Sequence, residues 1–204
     1  MIRRLEGESE SQWRQRMRRE ITDAQARLEQ ELDDPMRVFA YPFGEYDPAV
    51  EAIVEDLGFV GLGQQSGAIG PDSRYTSLPR FPIATAFAGM DSFAIKVRSR
   101  PLPVQGTEPE SGVLGPNDDR PRLRITLEPG PYRAEAIRCY LGGSTLPVDL
   151  HAGNPARLDV RPERALGPGR SKINCTAPAT DGDQWFWYSF LWMKPLPDGS
   201  WYRE

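Results

Sequence analysis

The feature that most constrains this chain is a change in hydrophobic period across a proline-rich stretch. Before that stretch, apolar residues recur at intervals of three and four, the spacing that lines one face of an α-helix. Beyond it they alternate every second residue, the spacing that gives a β-strand one buried face. Residues 101–122, PLPVQGTEPESGVLGPNDDRPR, separate the two regimes and are rich in Pro, Gly and acidic residues with little to bury. The reading is therefore two folded parts of different class: 1–104, a linker at 105–120, and 121–204.

In the first part, Ser9 and Gln12 have the spacing of a capping box, in which each side chain satisfies a backbone N–H at a helix start. Trp13, Met17, Ile21, Ala24, Leu28 and Leu32 then predict one apolar stripe on a helix over 9–33, stopped by Asp33-Asp34-Pro35. Arg37 to Tyr41 reads as a short strand, broken by Pro42 and Gly44. Asp47-Pro48 supplies an N-cap and a first-turn proline. Val50, Ile53, Val54 and Leu57 mark the inner side of the next helix, Gly58 fits its C′ position, and Phe59 to Leu62 gives another strand. Helix, strand, helix, strand with short connections is the pattern of an α/β layer or barrel with parallel strands. Residues 63–79 are loop-like, Leu78 to Ile83 returns to the core, and Asp91 is placed to cap a last helix through Phe93 and Val97.

In the second part, Leu123, Ile125 and Leu127 alternate with polar residues, as do Ile137 with Cys139 and Leu141, Leu158 with Val160, and Ile173 with Cys175. Trp185 to Met193, WFWYSFLWM, is a strand with large side chains on both faces. Such strands between Pro/Gly turns predict an antiparallel β-sandwich. Cys139 and Cys175 could form one bridge or remain free, and the sequence leaves both open.

Composition excludes several classes. With 26% charged residues and a net charge of −4, no stretch pools enough Lys and Arg to follow a phosphate backbone, so nucleic acid is not expected as a partner. No apolar run reaches the roughly 18–20 residues of a transmembrane span. MIRRLEGESE lacks the apolar core of a signal peptide. Protein partners are not legible.

Arg37-Val-Phe-Ala-Tyr-Pro-Phe-Gly-Glu-Tyr-Asp-Pro-Ala-Val, the helix after it, Leu57-Gly58-Phe59 and then Leu78-Pro79-Arg80-Phe81-Pro82 resemble the NodB-homology polysaccharide deacetylases, most closely their exopolysaccharide branch. The resemblance covers residues 2 to about 100. It implies part of a distorted (β/α) barrel, hydrolysis of N- or O-acetyl groups on an amino-sugar polymer, and a periplasmic or extracellular setting. It also implies a divalent metal, usually zinc, held by an Asp and two His, with a second Asp as general base. The metal polarises the acetyl carbonyl and activates a water.

This sequence departs from that pattern. In the resemblance the family's His pair precedes the long helix, and the chain starts at Met1-Ile2-Arg3-Arg4, just after the point where that motif would end; the catalytic residues are expected upstream of Met1. The one histidine, His151, lies in the β part. Asp33, Asp34, Asp47 and Asp56 have no spacing that builds a substitute site. No metal is therefore expected in this chain alone, which is read as a truncated, inactive piece of such an enzyme.

What carries over is the turn Tyr41-Pro42-Phe43-Gly44, which in the family walls the active-site groove, with backbone near the oxyanion and an aromatic ring beside the sugar. Glu45 and Tyr46 share the loop, and Arg80 sits between prolines, placed to hold a carboxylate or to bond substrate. The candidate substrate-binding set is Tyr41, Pro42, Phe43, Gly44, Glu45 and Arg80. The alternative is a strand-ending turn with both rings in the core. His151 beside Asp149 reads as a strand end, and Ser144 and Ser189 lack a glycine-framed elbow. Trp185 to Trp192 with Trp201 and Tyr202 could be a sugar-stacking platform in a non-catalytic carbohydrate-binding protein, or simply sandwich core.

Overall fold

Ser9 starts the longest helix as its spacing with Gln12 requires. In the computed structural model, which describes residues 2–202, the Gln12 amide donates to Ser9 Oγ at 3.3 Å and the Ser9 amide to Gln12 Oε1 at 2.9 Å. Helix α1 runs Glu10–Glu31 and buries Trp13, Met17, Ile21 and Gln25. Leu28 and Leu32, expected on the same stripe, are 47% and 53% exposed. The reason is length. Twenty-two residues make a helix about 33 Å long, whereas strand β1, Val38–Ala40, has three residues and spans about 10 Å. The sheet can cover only part of the helix.

The chain divides into two compact units, one running to Gln64 and including Asp72–Leu78, the other comprising Gln65–Pro71 and everything from Pro79. In the first, β1 is followed by helix α2, Pro48–Asp56, and strand β2, Val60–Leu62, which pairs parallel to β1 with Val38 opposite Val60. Asp47 caps α2 by accepting from the Val50 amide at 2.8 Å, and Gly58 follows the helix at φ 72°. Trp13, Met17 and Ile21 pack with Tyr41, Val50, Ile53, Val54 and Phe59 in one core. This is a single βαβ step. Among the described residues this sheet has two strands, so the expected partial barrel is not formed here; what stands in its place is one parallel β-strand pair with a helix between.

The second unit contains helix α3, Met90–Arg98. Its N-cap is Gly89, so Asp91 is not the cap but a first-turn acid, favourable beside the helix N-terminus. Among the described residues nine strands follow: β3 (Arg100–Pro101), β4 (Val104–Glu108), β5 (Leu123–Leu127), β6 (Arg138–Leu141), β7 (Ser144–Leu146), β8 (Val148–His151), β9 (Ala156–Val160), β10 (Gly169–Pro178) and β11 (Trp185–Lys194). They form a five-stranded sheet, β3-β11-β10-β6-β7, and a four-stranded one, β4-β5-β9-β8. All pairings are antiparallel except that of β3 with β11. Leu123, Ile125, Leu127, Leu158 and Val160 from one sheet share a core with Ile173, Cys175, Phe186, Phe190 and Trp192 from the other, which is the sandwich that the period of two predicts.

The stretch read as a linker is largely built into this unit. Val104–Glu108 is edge strand β4, where flanking prolines cost no ladder bond. Leu102 and Leu114 belong to the sandwich core, and Val113 bridges to Met193. The Asp119 carboxylate meets the buried Lys194 ammonium, which also donates to Leu166 O at 2.8 Å. A lysine at that depth requires such partners. The acidic, apolar-poor composition of 101–122 thus reflects edge pairing and one carboxylate that meets a buried lysine.

Cys139 and Cys175 face each other across β6 and β10 and are joined in a disulfide, both fully buried.

Candidate functional site

The turn after β1 is held from both ends. The Tyr41 amide donates to Leu62 O at 3.0 Å, which fixes the exit of β1 against β2. Pro42 to Gly44 then form one short helical turn, with the Gly44 amide donating to Tyr41 O at 2.8 Å and the Glu45 amide to Pro42 O at 3.1 Å. Those two amides are committed within the turn.

Phe43 adopts φ 56° and ψ 9°, left-handed backbone that a bulky residue rarely takes. Gly44 continues it at φ 71°. There a Cβ would lie 2.6 Å from Gln64 Cβ and 2.8 Å from the Gln64 amide nitrogen. Glycine is required twice over, by conformation and by the close approach of the chain leaving β2.

The side chains separate into two groups. Tyr41 is 1% exposed, and its hydroxyl donates to Thr76 O at 2.6 Å. Its ring packs edge-on to Phe39 at 5.5 Å and against Tyr46 at 5.0 Å. Burial, and then the Glu51 carboxylate, push its phenol well above the ordinary tyrosine range. Glu45 is 2% exposed and pairs with Arg3 at 3.5 Å. These two hold the turn. Phe43, by contrast, is 44% exposed, with Pro42 exposed beside it. Of the two rings, one is in the core and the other faces outward.

Arg80 belongs to the second unit, where it is exposed and its amide donates to Gln65 O at 2.9 Å. Its guanidinium lies close enough to Lys172 to disfavour that lysine's charge.

No motif or spacing pointed to Glu51. It is buried, accepts from Thr76 Oγ1 at 3.0 Å and from Arg74 Nη2 at 3.4 Å, and so joins α2 to the loop that also receives the Tyr41 hydroxyl. It lies on the inner side of α2 with Val50, Ile53 and Val54, and its partners Arg74 and Thr76 are 23 and 25 positions away, beyond the reach of any local pattern.

A zinc site does not fit the residues present. Among the described residues, no three His, Cys, Asp or Glu side chains come together as a metal-binding group. Asp47 is spent on capping α2, and Asp56 pairs with Arg18. His151 is exposed on β8, with Nε2 3.5 Å from Asp159 Oδ2. Asp159 in turn is held by Arg124 Nε at 3.0 Å, which keeps its carboxyl below the usual range.

The family model described as polysaccharide deacetylase matches residues 8–62. The match spans α1, β1, the Tyr41–Gly44 turn and α2 and ends on the last residue of β2. It supports the deacetylase resemblance over that stretch, and the second unit lies outside it. No curated protein matches the chain. Among solved structures, the crystal structure of PcoC, a methionine-rich copper resistance protein from Escherichia coli, is similar at 10% identity and a TM-score of 0.32. That likeness covers 46% of this chain and 97% of PcoC and carries no argument about function. Among the described residues, no helix is long and apolar enough to cross a membrane.

Proposed function

We propose that the chain is a segment of a metal-dependent polysaccharide deacetylase of the exopolysaccharide branch, acting on N- or O-acetyl groups of an amino-sugar polymer. In this reading, β1-α2-β2 is one step of the family's distorted barrel, and the Pro42–Phe43 edge of its turn lies along the sugar cleft. The observation that carries the proposal is Phe43. A family match runs through this turn, and an aromatic ring is held outward there on left-handed backbone. Backbone in that region costs about 1–3 kcal/mol and persists where surrounding structure, here Tyr41 and Gly44, enforces it. An outward ring offers a flat apolar face to sugar C–H groups. Tyr41 and Glu45 act as supports, and Arg80 is kept as a substrate-contacting candidate.

A periplasmic or extracellular setting is part of the same proposal, favoured by the Cys139–Cys175 bridge, since such bonds persist in oxidising compartments.

Because the residues present supply no Asp/His/His set, the 204-residue chain alone is expected to release no acetate. The test is acetate release from an acetylated β-linked glucosamine oligomer with and without added zinc. A blank agrees with the proposal; chelator-sensitive turnover by this chain would overturn it. The second reading, a non-catalytic carbohydrate-binding protein, is favoured by Trp187 of β11, an indole of intermediate burial whose Nε1 donates to Ser189 Oγ at 3.1 Å, with Ser189 Oγ donating in turn to Asn174 Oδ1 of β10 at 2.7 Å.

A further inference from the structure

In the second unit, the five-stranded sheet ends on β7 and the four-stranded sheet on β8, two strands that follow one another with Pro147 between them. Neither has a second neighbouring strand among the described residues. A cleft of about 270 Å³ lies where the two sheets stop. Its floor is Ile137 and Leu146, both buried, and its walls include Ala134, Val148 and Leu150, each half-buried against the core. Alternation along β8 turns Val148 and Leu150 inward and leaves Asp149 and His151 outside. At about 30 Å³ per molecule, the cleft has room for about nine waters. An apolar group that displaces them from this floor gains by burial.

Strand β7 also offers backbone. Gly142 at φ 57° and Gly143 at φ 86° make a two-residue turn of the hairpin kind, closed by Leu141 opposite Ser144. Ladder bonds alternate along an antiparallel pair. Ser144 and Leu146 therefore bond to β6, and the amide and carbonyl of Thr145 point away from it, along the free edge. Thr145 is exposed and lines the cleft. The mouth carries one charge of each sign, since Glu135 and Arg138 both line it and both are exposed. Arg138 Nη1 donates to Ile137 O at 2.8 Å and to Glu135 O at 3.5 Å, which fixes the guanidinium beside the cleft. Among the described residues, neither the Glu135 carboxylate nor the Arg138 guanidinium enters an ion pair.

We propose that this cleft binds an extended peptide. A large apolar side chain fills the slot, the peptide backbone adds to β7 at Thr145, and flanking acidic and basic side chains meet Arg138 and Glu135. Strand addition at a free edge supplies hydrogen bonds that only a ligand with a peptide backbone can make. Pro147 has no amide to extend the ladder, so the pairing is short and the slot and the two charges carry the selection. Residues two apart on an added strand share a face, which places one charge on either side of the slot residue. The inference rests on the second unit alone, so its failure leaves the deacetylase reading standing.

The test is amide NMR titration of the full chain with acetyl-Lys-Thr-Leu-Thr-Glu-amide and its reverse, acetyl-Glu-Thr-Leu-Thr-Lys-amide. Versions with alanine for leucine, and free leucine, are the comparisons. At least one orientation is expected to shift Thr145, Leu146 and Val148 with a dissociation constant at or below about 1 mM. Alanine in place of leucine should weaken binding about tenfold, from the lost burial of roughly two methylenes. Arg138→Gln should weaken it about threefold at low salt and less at high salt. Thr145→Pro removes the outward amide, leaves the ladder with β6 intact and should abolish binding. Circular dichroism establishes that each variant is folded; if Thr145→Pro is not, the exposed Arg138→Gln variant and the alanine peptide decide. The proposal is overturned if neither orientation binds at about 1 mM, or if the alanine version or free leucine binds as tightly. It is equally overturned if Arg138→Gln or a folded Thr145→Pro variant keeps full affinity.

Discussion

Removing the Cys139–Cys175 bridge is the perturbation whose size follows most directly from the fold. The cysteines are 36 positions apart and directly opposed on adjacent strands, so the bond closes β7, β8 and β9 into one loop. In the chain-entropy account, a loop of that length restricts the unfolded ensemble by about 13 cal/mol/K, or about 4 kcal/mol at room temperature. Both sulfurs are buried among Ile173, Ile137 and Phe186, so the paired replacement Cys139→Ala/Cys175→Ala also loses some packing. For a unit of this size, 4 kcal/mol corresponds to a fall in Tm of roughly 10–15 °C. Differential scanning calorimetry of the oxidised protein, the double variant and the protein unfolded and refolded in reductant should place the last two together and well below the first. Equal midpoints for all three, or two titratable thiols in the denatured, unreduced chain, would refute the reasoning.

Three further predictions concern the first unit. Gly44→Ala should destabilise it by roughly 1–3 kcal/mol in urea unfolding, because the new methyl meets the Gln64 backbone at a φ of 71°; an unchanged midpoint would contradict this. Tyr41→Phe removes the 2.6 Å bond to Thr76 O and should cost roughly 1–2 kcal/mol by the same assay. The Glu8 carboxyl is held down to about 2, from an ordinary 4.5, chiefly by the hydrogen bonds from Arg16. A depressed folded value stabilises above about pH 4.5 and loses that contribution as pH falls through about 2. Glu8→Gln should therefore flatten the fall in Tm over that interval, and an unaltered slope would count against the pairing.

Local rules in the sequence carried far where each depended on near neighbours. The Ser9–Gln12 box, the Asp47 cap, Gly58 after α2 and the alternation of Leu123, Ile125 and Leu127 all reappear in the structure because backbone satisfaction and strand pleat are decided within a few residues. The misreadings share a different origin. Leu28 and Leu32 are apolar yet exposed because the size of the sheet, not the helix, sets how much of α1 can be covered. Residues 104–108 look like linker because an edge strand needs little apolar surface, and the partner of Asp119, Lys194, is 75 positions away. In the site, the motif located the turn but could not tell which ring faced out. That depends on the Tyr41 hydroxyl finding Thr76 O across the fold. The Glu51 network was hidden for the same reason.

The central claim is that the Pro42–Phe43 edge faces sugar, and amide NMR during titration with an N-acetylated β-linked glucosamine oligomer tests it most directly. The account predicts shift changes concentrated at Phe43 to Tyr46 that vanish in Phe43→Ala. Binding that leaves those amides unmoved, or no binding at millimolar oligomer, would contradict it.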